Sequence, residues 1–181
     1  MQKELRLSGS GGQGVITAAI IFAEAATACG MNVAQSQSYG PEARGGASRS
    51  EVIISDDVIY HPHVEHPDIV LAMTQAAADK YAGDLDPATG ILIVDSELVP
   101  NVPQAAHVAK VPITTLALNQ FEGDGSVPWN VLVFSIGVEQ EAVQVADMAF
   151  QAMRRKAAEH PSEEVGKEIR KLYSWNDESD K

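Results

Sequence analysis

The sequence predicts an α/β fold: a mainly parallel sheet with helices on both faces, followed by a C-terminal helical extension. Short apolar runs, of which residues 91–95 are the clearest, alternate along the chain with alanine-rich segments of helical composition. Continuous apolar runs of this kind are typical of parallel strands that are buried on both faces. The chain also begins with a strand, a glycine-rich loop and a helix in direct succession, as doubly wound sheets do.

Size and composition indicate one main domain. The chain has 181 residues, of which 45% are hydrophobic and 21% are charged. A domain of this size buries roughly 70% of its unfolded surface and can form its own core. We assign residues 1–160 to this domain and residues 161–181 to a short amphipathic helix with an acidic tail.

The charge balance restricts the classes of partner. Asp and Glu number 25 against 13 Lys and Arg, which gives a formal net charge of −12. This charge opposes binding to a nucleic-acid backbone or to an anionic membrane surface. No apolar run reaches the roughly 18 to 20 residues of a membrane span, and the first residues lead straight into a strand. We therefore expect a cytoplasmic protein that binds neither nucleic acid nor membrane.

Cys29 is the single cysteine of the chain. One thiolate cannot form an internal disulfide, and it cannot supply the four ligands that an iron–sulfur cluster takes from protein. Because Cys29 lies at the end of an apolar helix pattern and has no basic neighbour, we expect a buried small hydrophobic side chain rather than a nucleophile.

Each element in the first part of the chain has a local signal. Apolar residues predict the strands, good helix formers predict the helix, and Gly30 is a typical helix C-cap. Asp56 and Asp57 offer a turn, which predicts a hairpin. In chain order we expect a strand at residues 5–8, a helix at 15–29, strands at 31–36 and 50–55, and the return strand of the hairpin at 58–60.

Strands and helices continue to alternate after Pro67. Thr74 is a suitable N-cap, and the last helices are predicted from apolar residues at intervals of three and four. In order we expect a strand at residues 68–73, a helix at 75–82, strands at 91–95 and 108–111, and helices around 114–121, 143–157 and 162–173.

The loop between the first strand and the first helix is a candidate anion site. Gly9, Gly11, Gly12 and Gly14 allow positive φ and let an anion approach the backbone without meeting a Cβ. The first amides of a helix lack internal partners and carry the positive end of the helix dipole. Gln13 and Thr17 add side chains that can donate hydrogen bonds.

The loop spacing also fits G-x-G-x-x-G, which occurs in dinucleotide-binding folds. Such folds place an Asp or Glu at the end of the second strand to bind a ribose hydroxyl. Here that strand ends in Gln35-Ser36-Gln37-Ser38, which counts against NAD.

Residues 39–46 form a second loop with several functional side chains. Tyr39, Glu42 and Arg44 lie there among glycines and a proline. Loops that follow successive parallel strands meet at the carboxyl edge of the sheet, so both loops are expected to line one crevice. Arg44 can then bind a phosphate or a partner's carboxylate, with Glu42 holding its orientation. Packing against a neighbouring subunit, with Tyr39 buried and Glu42 paired with Arg44, is at least as strong an interpretation.

These motifs resemble the gamma subunit of 2-oxoacid:ferredoxin oxidoreductases, especially the 2-oxoglutarate type. The matching segments are residues 9–14, the loop at 39–46, Ser48-Arg49-Ser50-Glu51 after it, and Pro67-Asp68. The resemblance covers roughly residues 3–115. It implies a Rossmann-like fold and a subunit, inactive alone, of an enzyme that converts a 2-oxoacid and coenzyme A to acyl-CoA and CO2. By the same resemblance, the glycine loop faces the phosphates of coenzyme A.

The resemblance also implies the partners and cofactors. Thiamine-binding alpha and beta subunits and an iron–sulfur subunit or domain accompany this chain, and ferredoxin or a similar protein accepts two electrons. Thiamine diphosphate, Mg2+ and 4Fe-4S clusters are then held by those partners. Coenzyme A is a substrate whose site this chain shares, and no catalytic acid or base is assigned to it.

Two other functions and one other site fit parts of the sequence. The glycine loop alone suits a free-standing nucleotide-binding module, and both loops suit a purely structural subunit. His61, His63 and His66, with Glu65 between them, are residue types that bind metal. Pro62 and Pro67 stiffen that segment and no second ligand cluster is near in sequence, so we assign no metal site.

Overall fold

The computed structural model describes residues 1–38 and 47–115, which contain six strands and two α-helices. A 3₁₀ turn at Ala82–Asp84 follows the second helix. In chain order the elements are β1 (Gln2–Ser10), α1 (Val15–Ala28), β2 (Asn32–Ser38), β3 (Ala47–Ser55), β4 (Ile69–Ala72), α2 (Gln75–Tyr81), β5 (Ile91–Asp95) and β6 (His107–Val111). The predicted α/β class is confirmed.

The six strands form one mixed sheet in the order β2-β3-β1-β4-β5-β6. β1, β4, β5 and β6 pair in parallel, whereas β3 is antiparallel to both of its neighbours. β2 therefore runs in the same direction as β1, and β3 alone among the described strands is reversed. The expectation of a mainly parallel sheet holds for strand direction, and the reversed strand is a feature that the sequence did not predict.

The prediction of a hairpin after β3 is wrong. Residues 58–60 are not a strand. Both hydrogen-bonding edges of β3 are already occupied, one by β1 and one by β2, so a strand following the turn at Asp56 and Asp57 has no edge of β3 to pair with. The segment instead connects β3 to β4 without regular secondary structure.

Apolar side chains cover both faces of the sheet. On one face, Leu5, Leu7 and Ile93 pack with Phe22 of α1 in a single buried cluster. On the other face, Val70 and Leu92 pack with Tyr81 of α2. Successive residues of β4 and β5 alternate between these two clusters, as the period of a strand requires. Helices on both faces are thus confirmed.

The ends of the helices follow the predicted capping signals. Thr74 caps α2, because its side chain accepts a hydrogen bond from the Ala77 amide at 3.3 Å. Gly30 follows α1 with φ of +80°, the left-handed conformation that glycine adopts readily. Cys29 is exposed at this end of α1, so the expected burial of its side chain is wrong. The apolar face of the helix ends before it, at Ala25 and Ala26.

Several expectations lie outside the described residues. These are the loop at 39–46, the helices expected at 143–157 and 162–173, and the acidic tail. Of the helix expected around 114–121, residues 113–115 are described and are helical. In the described part of the chain, no helix is long and apolar enough to cross a membrane.

Candidate functional site

The glycine loop, residues 9–14, leaves the carboxyl end of β1 and leads directly into α1. Gly12 and Gly14 have φ of +89° and +75°, which side chains with a Cβ rarely adopt. A Cβ added at Gly11 or Gly12 would meet no heavy atom within 4 Å, and both residues are exposed. The outer surface of the loop is therefore open backbone that a ligand can approach.

The inner side of the same loop is closed by Gln13. Its Oε1 atom accepts a hydrogen bond from the Ser10 amide at 2.6 Å. A Cβ on Gly9 would lie 2.5 Å from this oxygen and 2.9 Å from Cβ of Met73. Gly9 and Gln13 thus hold the loop in shape, so their roles inside the chain are structural. With Oε1 used in this way, the side-chain amide of Gln13 keeps its N–H donors for other partners.

The amino terminus of α1 carries no capping side chain. Gly14 is its N-cap residue, and the first turn contains no acidic residue. The first internal hydrogen bond runs from the Ala18 amide to the Gly14 carbonyl at 2.9 Å. Thr17 lies in the first turn and is exposed. This arrangement combines amide donors with the positive end of a helix dipole, which favours binding of an anion.

The strand register places the ends of the second loop near the glycine loop. Ala47 lies opposite Ser10 at the end of β1, and Ser38 lies opposite Arg49. Both anchors of the loop at 39–46 are therefore at the carboxyl edge of the parallel strands, as expected. Tyr39, Glu42 and Arg44 themselves lie outside the described residues.

A buried ion-pair cluster lies on the α2 face of the sheet, over β1 and β3. Arg6 on β1 is 2% exposed. Its Nε donates to Oε1 of Glu51 on β3 at 2.7 Å, and one terminal nitrogen donates to the carbonyl of Val64 at 2.7 Å. The other terminal nitrogen pairs with Asp84 in the 3₁₀ turn. Arg6 thereby links β3, the β3–β4 connection and the turn after α2.

Arg49 on β3 belongs to the same cluster but is only partly buried. Its side chain is 38% exposed, and its NH1 atom lies 3.9 Å from Oε1 of Glu51. Its Cζ atom lies 5.9 Å from the ring centroid of Tyr81. The sequence motifs did not indicate Arg49 as a site residue, although it is part of the Ser48-Arg49-Ser50-Glu51 motif. Only the register shows it close to the glycine loop.

A buried carboxylate ends β5 at the same edge of the sheet. Asp95 is 0% exposed. Its Oδ1 accepts the amides of Glu97 and Leu98, and its Oδ2 accepts the amide and the hydroxyl of Thr114 at 2.7 Å. Four hydrogen bonds satisfy this carboxylate, which makes it a structural residue that joins the end of β5 to the segment after β6.

Carboxyl groups with a lowered pKa lie at the opposite, amino edge of the sheet. The pKa of Asp86 is lowered because the carboxylate accepts hydrogen bonds from the amides of Ala88 and Thr89 and from the Thr89 hydroxyl. The pKa of Asp56 is lowered chiefly by a hydrogen bond from the terminal amino group. Neither group is near the glycine loop.

The histidine segment lines a groove of about 590 Å3 at this amino edge, together with Gln2, Glu4 and Tyr60. His61, His63, His66 and Glu65 all border it. Among the described residues, no group of three His, Cys, Asp or Glu side chains is arranged to hold a metal ion. The groove is separated from the glycine loop by the length of β1.

Comparison with known proteins places these features in context. Residues 4–172 match the family model described as pyruvate ferredoxin/flavodoxin oxidoreductase. The chain is 46% identical over 126 residues to the 2-oxoglutarate synthase subunit KorC of Methanocaldococcus jannaschii, covering 67% of each protein. In two Methanothermobacter subunits of the same name, the matched segment spans about half of their length, 53% and 52%.

Two solved structures are also similar to this chain. The keto/oxoacid ferredoxin oxidoreductase gamma subunit from Geobacter sulfurreducens is 39% identical, with a TM-score of 0.56, and the match covers 82% of this chain and 94% of that one. The 2-oxoglutarate:ferredoxin oxidoreductase from Magnetococcus marinus, solved with 2-oxoglutarate, coenzyme A and succinyl-CoA bound, shares the fold. The TM-score is 0.69 at 19% identity, over 91% of this chain and 28% of that one.

Proposed function

This chain belongs to the pyruvate ferredoxin/flavodoxin oxidoreductase family as a gamma-type subunit, and from this premise we propose that its complex oxidises 2-oxoglutarate. In this reaction the 2-oxoacid and coenzyme A give acyl-CoA and CO2, and two electrons pass to ferredoxin or a similar acceptor. The preference for 2-oxoglutarate is supported by the relatives named 2-oxoglutarate synthase subunit. We place the complex in the cytoplasm.

The contribution of this chain is to bind the diphosphate group of coenzyme A at the glycine loop. One observation carries this proposal: the open backbone at Gly11 and Gly12 adjoins a helix end without a capping side chain. A diphosphate can approach such a backbone closely and accept hydrogen bonds from its amides. Thr17 is placed to add a hydroxyl donor, and Tyr39, Glu42 and Arg44 are the proposed contacts from the second loop.

Binding of this kind contributes position rather than proton transfer. Holding the thiol of coenzyme A next to the reacting intermediate converts a bimolecular step into an almost unimolecular one. The described loop residues that we assign to the ligand are glycines, Gln13 and Thr17, none of which is a good acid or base near neutral pH. The chemistry of bond cleavage is therefore assigned to other subunits.

The cofactors of the complex are proposed to reside in those partners. The single Cys29 falls short of the four thiolates of a 4Fe-4S cluster, and the part of the chain that is described has no three-residue metal group. Thiamine diphosphate, which reacts with the 2-oxoacid, and its Mg2+ are assigned to alpha and beta subunits. The clusters are assigned to an iron–sulfur subunit or domain.

A substitution at Gly11 tests the coenzyme A site. A valine there has space in the free protein, since nothing lies within 4 Å of the Cβ position, but its side chain would occupy the path of the diphosphate. We expect Gly11→Val to raise KM for coenzyme A at least about tenfold and to leave KM for 2-oxoglutarate unchanged. Steady-state kinetics of the complete complex measures both constants.

Gly83 provides the matched control, because a Cβ there also meets no atom within 4 Å and the residue lies outside the loop, in the 3₁₀ turn after α2. Gly83→Val is expected to leave both constants unchanged. If Gly11→Val leaves KM for coenzyme A unaltered, the loop does not bind coenzyme A. Tight binding of NAD with no response to coenzyme A would instead favour the free-standing nucleotide-binding module.

A further inference from the structure

Arg49 is the arginine nearest to the glycine loop in the described strands. It lies on β3 opposite Ser8, and its neighbours Ser48 and Ala47 lie opposite Gly9 and Ser10. Because a strand rises about 3.4 Å per residue, the Cα of Arg49 is roughly 7 Å from the end of β1. An arginine side chain is long enough to span this distance. A ligand that extends over the carboxyl edge onto the α2 face of the sheet is therefore within its reach.

The carboxylate next to Arg49 is already engaged by another arginine. Oε1 of Glu51 accepts Nε of Arg6 at 2.7 Å, and Oε2 accepts the Ser36 hydroxyl at 3.2 Å. NH1 of Arg49 lies 3.9 Å from Glu51, beyond hydrogen-bond distance. Glu51 thus attracts the guanidinium group of Arg49 electrostatically but accepts no hydrogen bond from it.

The cluster around Tyr81 contains more cations than carboxylates. Arg6, Arg49 and Lys80 lie 5.4, 5.9 and 5.2 Å from the centroid of its ring. The carboxylates that pair with these arginines are Glu51 and Asp84. This local excess of positive charge occurs on a chain whose net charge is −12. Of the two arginines in the cluster, the side chain of Arg6 is 3% exposed and that of Arg49 is 38% exposed, so an anionic ligand can reach Arg49.

We propose that Arg49 binds the ribose 3′-phosphate of coenzyme A while the glycine loop binds its diphosphate. This inference rests on the proposed function. Coenzyme A carries phosphate at two places, and a monoester with a charge close to −2 suits the planar donors of a guanidinium group. In the free chain the guanidinium group of Arg49 lies beside the Tyr81 ring and Glu51, and in the proposed complex the side chain turns from these neighbours toward the phosphate at the carboxyl edge.

Comparison of two ligands distinguishes binding of the 3′-phosphate by Arg49 from a purely structural role of Arg49. Dephospho-coenzyme A lacks the 3′-phosphate and keeps the diphosphate. A substitution of Arg49 is therefore expected to weaken the binding of coenzyme A and not that of dephospho-coenzyme A. In calorimetric titrations of the complete complex, Arg49→Met should weaken coenzyme A binding by about ten- to a hundredfold, as expected for hydrogen bonds between charged groups. Binding of dephospho-coenzyme A should change less than about twofold, and Arg49→Lys should fall between the wild type and Arg49→Met for coenzyme A.

Lys110 gives a control for the loss of one positive charge. It is exposed on β6, at the far side of the sheet, so Lys110→Met should leave both affinities unchanged. If Arg49→Met weakens the binding of both ligands equally, or weakens the binding of neither, Arg49 does not bind the 3′-phosphate. If Arg49→Met does not assemble, the same comparison is made with Arg49→Lys. Failure of the wild-type complex to bind either ligand would instead reject the proposed function.

Discussion

Gly9 and Gly11 are two residues apart in one loop and meet opposite requirements. Gly9 lies where any side chain would collide with Gln13 and Met73, whereas Gly11 faces open space. The first glycine is therefore needed by the fold of the chain itself. The second leaves room for something that binds from outside. A motif of several glycines thus combines structural and binding positions that only their surroundings distinguish.

Substitution of Gly9 by alanine tests the structural role. The new Cβ would lie 2.9 Å from Cβ of Met73 and 2.5 Å from Oε1 of Gln13, so the backbone near Gly9 or Met73 must shift and the Gln13 side chain must move. We expect Gly9→Ala to destabilise the chain by about 1–3 kcal/mol, the usual cost of overpacking. Gly11→Ala should change the free energy of unfolding by less than about 0.5 kcal/mol. Urea unfolding measures both values.

The double variant Gly9→Ala/Gln13→Ala separates the two contacts. It removes the side-chain oxygen and leaves Met73 in place, so we expect it to recover only part of the stability lost in Gly9→Ala. If the double variant recovers all of the stability lost in Gly9→Ala, Gln13 alone obstructs the new Cβ. If Gly9→Ala is as stable as the wild type, neither contact is strained.

At the scale of elements, β3 determines how the sheet is assembled. It is antiparallel to β1 and to β2 and lies between them. Its first residues lie beside the end of β1, which places Arg49 and the anchors of the second loop at the carboxyl edge. A purely parallel arrangement would place the start of β3 at the other edge, away from the glycine loop. The reversal of one strand is thus what brings the two loop regions together.

The turn that precedes β5 gives a pH-dependent prediction. Asp86 has a lowered pKa because its carboxylate accepts two backbone amides and the Thr89 hydroxyl. A group whose folded pKa is below its unfolded value of 3.8 stabilises the fold above that pH. This stabilisation is lost as the pH falls through the folded pKa. We expect Asp86→Asn to be less stable than wild type at pH 6 and to approach it below pH 3.8.

Thermal unfolding of the two proteins between pH 6 and pH 2.5 measures this difference. Asp57 is an exposed aspartate of another turn, and Asp57→Asn serves as the control for loss of one negative charge. A gap between wild type and Asp86→Asn that stays constant over the whole range would contradict the assigned role of the charged carboxylate.

At the scale of the whole molecule, we propose that the chain acts as a binding scaffold within an oxidoreductase complex. In the described residues on the carboxyl side of the sheet, the carboxylates of Asp95 and Glu51 are held by hydrogen bonds and an ion pair. Backbone at Gly11 and Gly12, the Thr17 side chain and part of the Arg49 side chain are exposed there. Such groups are suited to binding and orienting an anion, whereas decarboxylation and electron transfer require cofactors that we assign to other subunits.

The purified chain is therefore expected to be inactive alone. Supplied with 2-oxoglutarate, coenzyme A, thiamine diphosphate and Mg2+, it should neither release CO2 nor reduce ferredoxin above the background of a buffer control. Addition of the alpha, beta and iron–sulfur subunits should restore both activities, and omission of this chain should abolish acyl-CoA formation. Release of CO2 by the isolated chain would contradict the assignment of the thiamine chemistry to partners.

Local signals in the sequence determined most of the elements and the core of the candidate site. The strand–loop–helix order, the cap at Thr74 and the end of α1 at Gly30 follow from residues within a few positions of each other, and the structure agrees with them. The two glycine- and arginine-bearing motifs also indicated the family. Such features are local because capping, turn and helix preferences act over one or two turns of chain.

Tertiary structure alone decided what depends on distant residues. The reversal of β3, the internal hydrogen bond that occupies Gln13, the exposure of Cys29 and the cluster around Arg6 were not predicted. Arg6 meets Glu51 across 45 positions and Asp84 across 78, and no local pattern records such pairings. The free energy of a strand pair or a buried ion pair depends on which segments meet and how fully they exclude water. Only the assembled sheet specifies that for Arg49 and the glycine loop.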